Sequence, residues 1–469
     1  MLFMLHDRII RNIHTLLKPA AILMILLFAG ILGRRATPNL VEQLLIIAMA
    51  LLGLVILTRK PALGIVILIP ISFFVRWEVG TGTKIPLNAT FLLVAALLSL
   101  WLLNMFVYQK EVRLVPSRIN PPALLFITVT IISLIVGNLD LIPLATQRAS
   151  LPAQLGGWML YALSIGMLLL VGNQINDLGW LRTLTWVYLA LGAVVLIDKI
   201  VPLYYRINIP SPKGSTGSVF WTFLIALAYG QLIINRKLNY KWRLLLGVLI
   251  VTTLYYGWFI NREWVSGWLP PIIAIIVITW LRSWRWGLAL TAVLGIFVVV
   301  RFPSLTAQVM TSSQQYSAES RVATWPIMIE LIKASPILGL GPANYYYFTP
   351  LYSIWGWFVK FNSHNNYVDI IAQTGLLGLG LFIWLIIEIT LLGFRLLKRV
   401  QDSFSLGYIY AALGGLAGIL VSGFFADWYL PFLYNIGIPG FRASIFAWIF
   451  LGGLISLDRI SRSQENKPA

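Results

Sequence analysis

Apolar runs of about twenty residues recur along nearly the whole of this sequence, and few folds are open to a chain written that way. They lie at about 19–33, 40–58, 62–75, 86–107, 121–137, 157–172, 183–201, 216–234, 244–260, 264–281 and 286–300, and then at about 367–394, 405–425 and 438–457. A helix rises about 1.5 Å per residue, so about twenty apolar residues cross the roughly 30 Å hydrocarbon core of a bilayer. Inside that core every backbone N–H and C=O must find a partner within the protein, which leaves helices or closed barrels. Barrel strands are short and alternate in polarity, whereas these runs are continuous. The expected fold class is all-α: a polytopic transmembrane helix bundle of about 12–14 spans, with the short 62–75 run able to re-enter the bilayer. A composition of 59% hydrophobic and 11% charged residues excludes a soluble domain of this size. No small-residue cleavage pattern follows the first run, so it is read as a helix rather than a cleaved signal.

Lys and Arg orient the bundle. With the N-terminus inside, twenty-one of the 35 basic residues fall in inner loops, the bias that topology rules require. The expected organisation is a cytoplasmic lead-in at 1–18, a bundle at 19–300, an external loop at 301–366, further membrane helices at 367–457 and a cytoplasmic tail at 458–469. The net charge of +19 is then explained partly by cytoplasmic anchoring and needs no nucleic acid. The remaining outward basics, among them Arg206, Lys213, Arg262, Arg301, Arg321, Lys333, Lys360 and Arg442, suggest an anionic ligand on the outer face. In a membrane the natural candidate is a phosphorylated lipid. The chain has no cysteine, which excludes disulfides and thiolate catalysis, and its three histidines do not cluster for a metal.

The long polar interruption at 301–366 carries the best candidates for chemistry. Loops longer than about 12–15 residues are usually functional or disordered. Within this one, 323–335 reads as a helix capped by Thr324, with Pro326 in its first turn and Trp325, Met328, Ile329 and Ile332 on one face. A cluster of aromatics follows, from Tyr345 to Phe358. It fits either an interfacial belt or a stacking surface for sugar rings. Then comes Asn362-Ser363-His364-Asn365-Asn366-Tyr367, before a long apolar helix. With Asn362 or Ser363 as cap, His364 sits in the first helical turn, where free N–H groups attract phosphate and the dipole keeps the imidazole neutral. A neutral histidine beside an anion site is what general-base chemistry requires. A second candidate is the tight outward turn Asn261-Arg262-Glu263-Trp264-Val265-Ser266-Gly267, whose guanidinium can grip a diphosphate. A third is Lys213-Gly214-Ser215-Thr216-Gly217-Ser218 at another helix start.

These pieces, in this order, resemble the O-antigen ligase and O-antigen polymerase family of bacterial membrane glycosyltransferases. Arg321 with Trp325 and Pro336-Ile337-Leu338-Gly339-Leu340-Gly341-Pro342-Ala343-Asn344 is similar to the start of that family's large external loop. His364-Asn365-Asn366-Tyr367 with Gln373-Thr374-Gly375-Leu376-Leu377-Gly378-Leu379 is similar to its end. The Arg262 turn resembles a Ser-Arg-Gly-rich turn but carries Asn261 for serine and Glu263 for glycine. The resemblance covers about 210–380. It implies a GT-C-like bundle in a bacterial inner membrane, with its active site on the periplasmic face. It also implies a glycan donor on undecaprenyl diphosphate, a glycan or lipid acceptor, and no metal or other cofactor. By that likeness His364 is the base and Arg262 and Arg321 hold the diphosphate. Lys213, Glu319, Asn365, Asn366 and Tyr367 accompany them as substrate-binding candidates. Ligase and polymerase both stay open, and an exporter of lipid-linked oligosaccharide is the alternative from another class.

Overall fold

The computed structural model describes residues 60–80, 86–139, 147–201, 217–309 and 312–465. The expected spans at 19–33 and 40–58, and Lys213, lie outside the described residues. Every other expected run is a helix. In order these are α1 (Pro61–Phe74), the two-residue strands β1 (Glu78–Val79) and β2 (Leu87–Asn88), α2 (Ala89–Gln109), α3 (Asn120–Val136), α4 (Leu151–Gln174) and α5 (Leu178–Ile200). They continue with α6 (Ser218–Ile234), α7 (Tyr240–Ile260), α8 (Val265–Arg282) and α9 (Trp284–Val309). The 301–366 segment contributes α10 (Ser312–Ala334) and the single turn α11 (Tyr345–Phe348). The chain closes with α12 (Asn366–Arg399), α13 (Ser403–Ser422) and α14 (Gly437–Glu465). Among the described residues, nine helices are long and apolar enough to cross a membrane, and α1, α3 and α6 are shorter apolar helices.

The bundle is assembled around α14, which is buried along its apolar length, and around α13, which packs on α6 and α8. Close helix approach in lipid depends on small residues, because lipid tails are as apolar as Leu and dispersion contacts must do the work. The crossing of α6 and α13 illustrates this. A side-chain carbon on Gly230 of α6 would lie 2.5 Å from the carbonyl oxygen of Gly407 on α13. At the periphery, α9 leaves Val293, Ile296, Val299 and Val300 exposed, as does α12 with Ile383, Ile387 and Leu391. Such faces suit a lipid solvent.

The two ends of the bundle differ. At one end, Asp402 pairs with Arg182 (3.5 Å) and Lys237 (3.3 Å), and Asp458 pairs with Arg399 and Arg462. These are the loops that the charge bias places inside. At the opposite end lie α10, α11 and the 349–365 loop, packed through Ile327, Met328, Leu331, Tyr345, Phe348 and Phe432.

Here the local structure departs from the sequence reading in two ways. The helix expected at 323–335 begins at Ser312, so Arg321 and Thr324 lie within it. Thr324 does not cap it; its hydroxyl donates back to the Arg321 carbonyl at 2.6 Å. Helix α12 is capped by Asn365, whose side chain accepts from the N–H groups of Tyr367 and Val368, and not by Asn362 or Ser363. His364 therefore precedes the cap instead of sitting in the first turn.

Candidate functional site

The site is built where α12 breaks. Gly375 has φ +69° and ψ −173° inside that helix, a conformation open essentially to glycine alone. The break frees backbone groups, and the Pro336–Pro342 segment fills the gap. Leu340 N–H donates to the Ala372 carbonyl (2.8 Å), Gly341 N–H to Gln373 (3.0 Å) and Leu376 N–H to Pro336 (2.8 Å). Gly339, at φ +71°, passes so close that an added carbon would meet the Gln373 carbonyl carbon at 2.4 Å. The Pro336–Pro342 and Gln373–Gly378 motifs are thus one joint, and it sets the short first segment of α12 at the end of the bundle that carries α10 and α11.

Polar anchors hold that segment on every side. Ser363 and Tyr345 both donate to buried Asp369, at 2.6 and 2.5 Å, and the Ser363 N–H donates to the Tyr345 hydroxyl. Asn366 donates to the Leu430 carbonyl (2.7 Å) and accepts from Tyr429 N–H (3.3 Å), while Tyr367 donates to the Leu420 carbonyl (2.7 Å). Asn365, Asn366 and Tyr367 therefore commit side-chain polar atoms to the scaffold.

His364 is left between these anchors at φ +49°, a left-handed backbone for a non-glycine residue. Its N–H donates to Asn362 Oδ1 (3.2 Å), and its Nδ1 lies 3.5 Å from Asn435 Nδ2. Asn435 in turn donates to Asp427, whose other oxygen accepts from Phe432 N–H at 2.5 Å. Burial first, and then the positive charge of Arg321, lower the His364 pKa to about 4. The imidazole is neutral at physiological pH, as expected, but through burial and a neighbouring cation rather than a helix dipole.

Arg321 donates one Nη1 bond to the Phe425 carbonyl (3.1 Å), while its buried Nε has no partner. No carboxylate pairs with it among the described residues. Arg321 and His364 line one cleft of about 510 Å³, together with Ser320, Thr324, Trp355, Trp357, Lys360 and Asn362. Among the described residues, that lining holds two basic side chains, Arg321 and Lys360, and no carboxylate.

Arg262 is exposed on the turn between α7 and α8 and does not line this cleft. Its turn reaches the same end of the bundle through Trp264, whose ring meets that of Trp428 at 5.6 Å, one residue from Asp427. Glu319 is exposed on α10, beside the lining residue Ser320.

Two residues touching the site were not singled out for it from sequence. Asp427 is one of several scattered carboxylates in the sequence and Asn435 one of its amides, both in the aromatic stretch between α13 and α14. A buried acid in so apolar a run is the signal that could have found them.

Fold and site together define a polytopic helical membrane protein with a cation-lined cleft and a neutral histidine at one end of the bundle. Residues 213–383 match the family described as O-antigen ligase, so this stretch of the chain is similar to that family. The matched stretch contains Lys213, Arg262, Arg321 and His364 and stops before Asp427. It suggests glycosyltransferase-type activity on lipid-linked glycan in a membrane. Comparison with curated proteins found no match.

Proposed function

We propose that this protein transfers a glycan from undecaprenyl diphosphate to a hydroxyl of an acceptor sugar on the periplasmic face of a bacterial inner membrane. The observation that carries the reading is a neutral His364 sharing a cleft with the carboxylate-free Arg321. In the proposed step His364 takes the proton from the acceptor hydroxyl as that oxygen attacks the anomeric carbon. The new O–C bond forms as the bond from that carbon to the diphosphate oxygen breaks. The diphosphate leaves with the bonding electrons, and the anomeric centre inverts. Arg321 holds the leaving group and stabilises the charge that collects on it. Arg262, exposed at the same end, is the second diphosphate contact in this reading. Asn365, Asn366 and Tyr367 act by positioning the loop. Diphosphate is already a good leaving group, so a base, two cations and orientation suffice.

Donor binding also tunes the base. An anion on Arg321 offsets the charge that helps hold the His364 pKa down, so the imidazole becomes more basic once substrate is present. The test is incubation of the purified protein with a defined undecaprenyl diphosphate oligosaccharide, followed by product sizing. Single addition to an acceptor indicates ligation, and a ladder indicates polymerisation. Intact donor in the presence of competent acceptor would overturn the reading.

A further inference from the structure

Among the described residues, those lining the His364 cleft come from α10 and from 354–364, outside the nine helices long and apolar enough to cross a membrane. The cleft thus lies within the 301–366 segment that the Lys and Arg bias places outside. Its outer wall is a two-residue hairpin. Ile354 and Trp357 exchange both backbone bonds, at 2.9 and 2.8 Å, around Trp355 and Gly356. Both turn residues have positive φ, 51° and 84°, the mirror-type turn that favours Asn or Gly at its first central place. An indole stands there instead. Trp355 is 53% exposed and Trp357 is 72% exposed, yet both line the cleft. Lys360 lies 3.7 Å over the Tyr347 ring and lines the same cleft.

Two exposed indoles on the wall of a cleft that also holds a base have a specific chemical use. An indole face packs against the C–H face of a pyranose ring while leaving the ring hydroxyls free to hydrogen-bond. A volume of about 510 Å³ falls within the usual range of small-molecule sites, about 300–1,000 Å³. Arg321 lines the same cleft, so a ring stacked on these indoles would share it with the cation that meets the diphosphate in the proposed reaction.

We propose that Trp355 and Trp357 form the acceptor subsite, stacking a pyranose ring of the acceptor glycan so that its hydroxyl faces His364. This rests on the reading of the cleft as a glycosyl-transfer site.

The test uses the full chain in nanodiscs, with oligosaccharides of two to six sugars released from the producing cell's envelope glycan as the probe, and no donor present. Titration calorimetry should give saturable binding for the parent protein and for His364→Ala. Trp357→Leu and Trp355→Asn should each weaken it at least tenfold, and Trp357→Tyr should restore most of it. In the transfer assay the loss for Trp357→Leu should fall on the acceptor KM rather than on kcat. Thermal melting of each variant confirms folding. Unchanged affinity in Trp357→Leu and Trp355→Asn, or no saturable binding by the parent, overturns the subsite. So does quenching of these indoles by brominated lipid with no response to glycan, which would assign the hairpin to the membrane surface. Transfer by His364→Ala would instead contradict the base while leaving the titration result standing.

Discussion

At the scale of single residues, the account turns on how His364 is kept neutral and how it is held. Its pKa of about 4 lies below the ordinary 6.5 because burial and Arg321 both disfavour the imidazolium. The folded protein resists protonation there, so this group's contribution to stability falls as pH drops from about 6.5 toward 4. The same shift predicts that kcat/KM, which reports the free enzyme, is flat near neutrality and falls through about pH 4. Bound diphosphate raises the pKa, so the acid limb of kcat should lie at higher pH than that of kcat/KM. Arg321→Gln should move the kcat/KM limb upward as well, since it removes the cation. A pH–rate profile on defined donor checks all three. Asn435→Ala should leave the fold intact and lower kcat by up to about 100-fold, the scale of loss for a misplaced catalytic group, as read by transfer kinetics. His364 was legible as a candidate because it follows Asn362 and Ser363 and precedes an apolar helix. Its surroundings were less legible. Asn362, Ser363 and Asn365 are all competent caps, and the choice among them is made by tertiary contacts: Ser363 is drawn to Asp369 and Tyr345, leaving Asn365 to cap.

At the scale of elements, the broken helix α12 and the Pro336–Pro342 segment form one part. Gly375→Ala places a side-chain carbon 2.1 Å from the Ile337 carbonyl oxygen, on a backbone at φ +69°. It should destabilise the protein by at least about 2 kcal/mol and cost activity through the displaced loop. Gly380, in the same helix with nothing within 4 Å, provides the control: Gly380→Ala should stay within about 1 kcal/mol of the parent. Thermal unfolding in detergent compares the two. The motif pair was visible in the sequence as two Gly-rich strings more than thirty residues apart. Their union was not, because it consists of backbone hydrogen bonds that no side-chain pattern encodes. The early start of α10 was hidden for a related reason. Ser312–Ser320 is polar, without an apolar stripe, and Thr324 looks like a cap only if its hydroxyl is not already bonded to the Arg321 carbonyl.

At the scale of the molecule, the spans were legible from length and hydropathy alone, since the bilayer imposes both. The orientation rests on Lys and Arg. The chain has no cysteine, so single introduced cysteines report cleanly. Lys360→Cys should react with an impermeant maleimide added to the periplasmic side, and Lys237→Cys only after the cytoplasmic side is opened. The reverse pattern would turn the cleft inward and remove it from the proposed chemistry. Distant basic residues could be grouped by face from the sequence, but their convergence could not: Arg321 reaches the His364 cleft, whereas Arg262 stands on a neighbouring turn. The most direct measurement is the rate of glycan transfer from defined undecaprenyl diphosphate donor by the parent and by His364→Ala, both shown to fold and to bind donor. The parent should transfer and the variant should not, with donor affinity nearly unchanged. Transfer by the variant at the parent's rate would contradict the account.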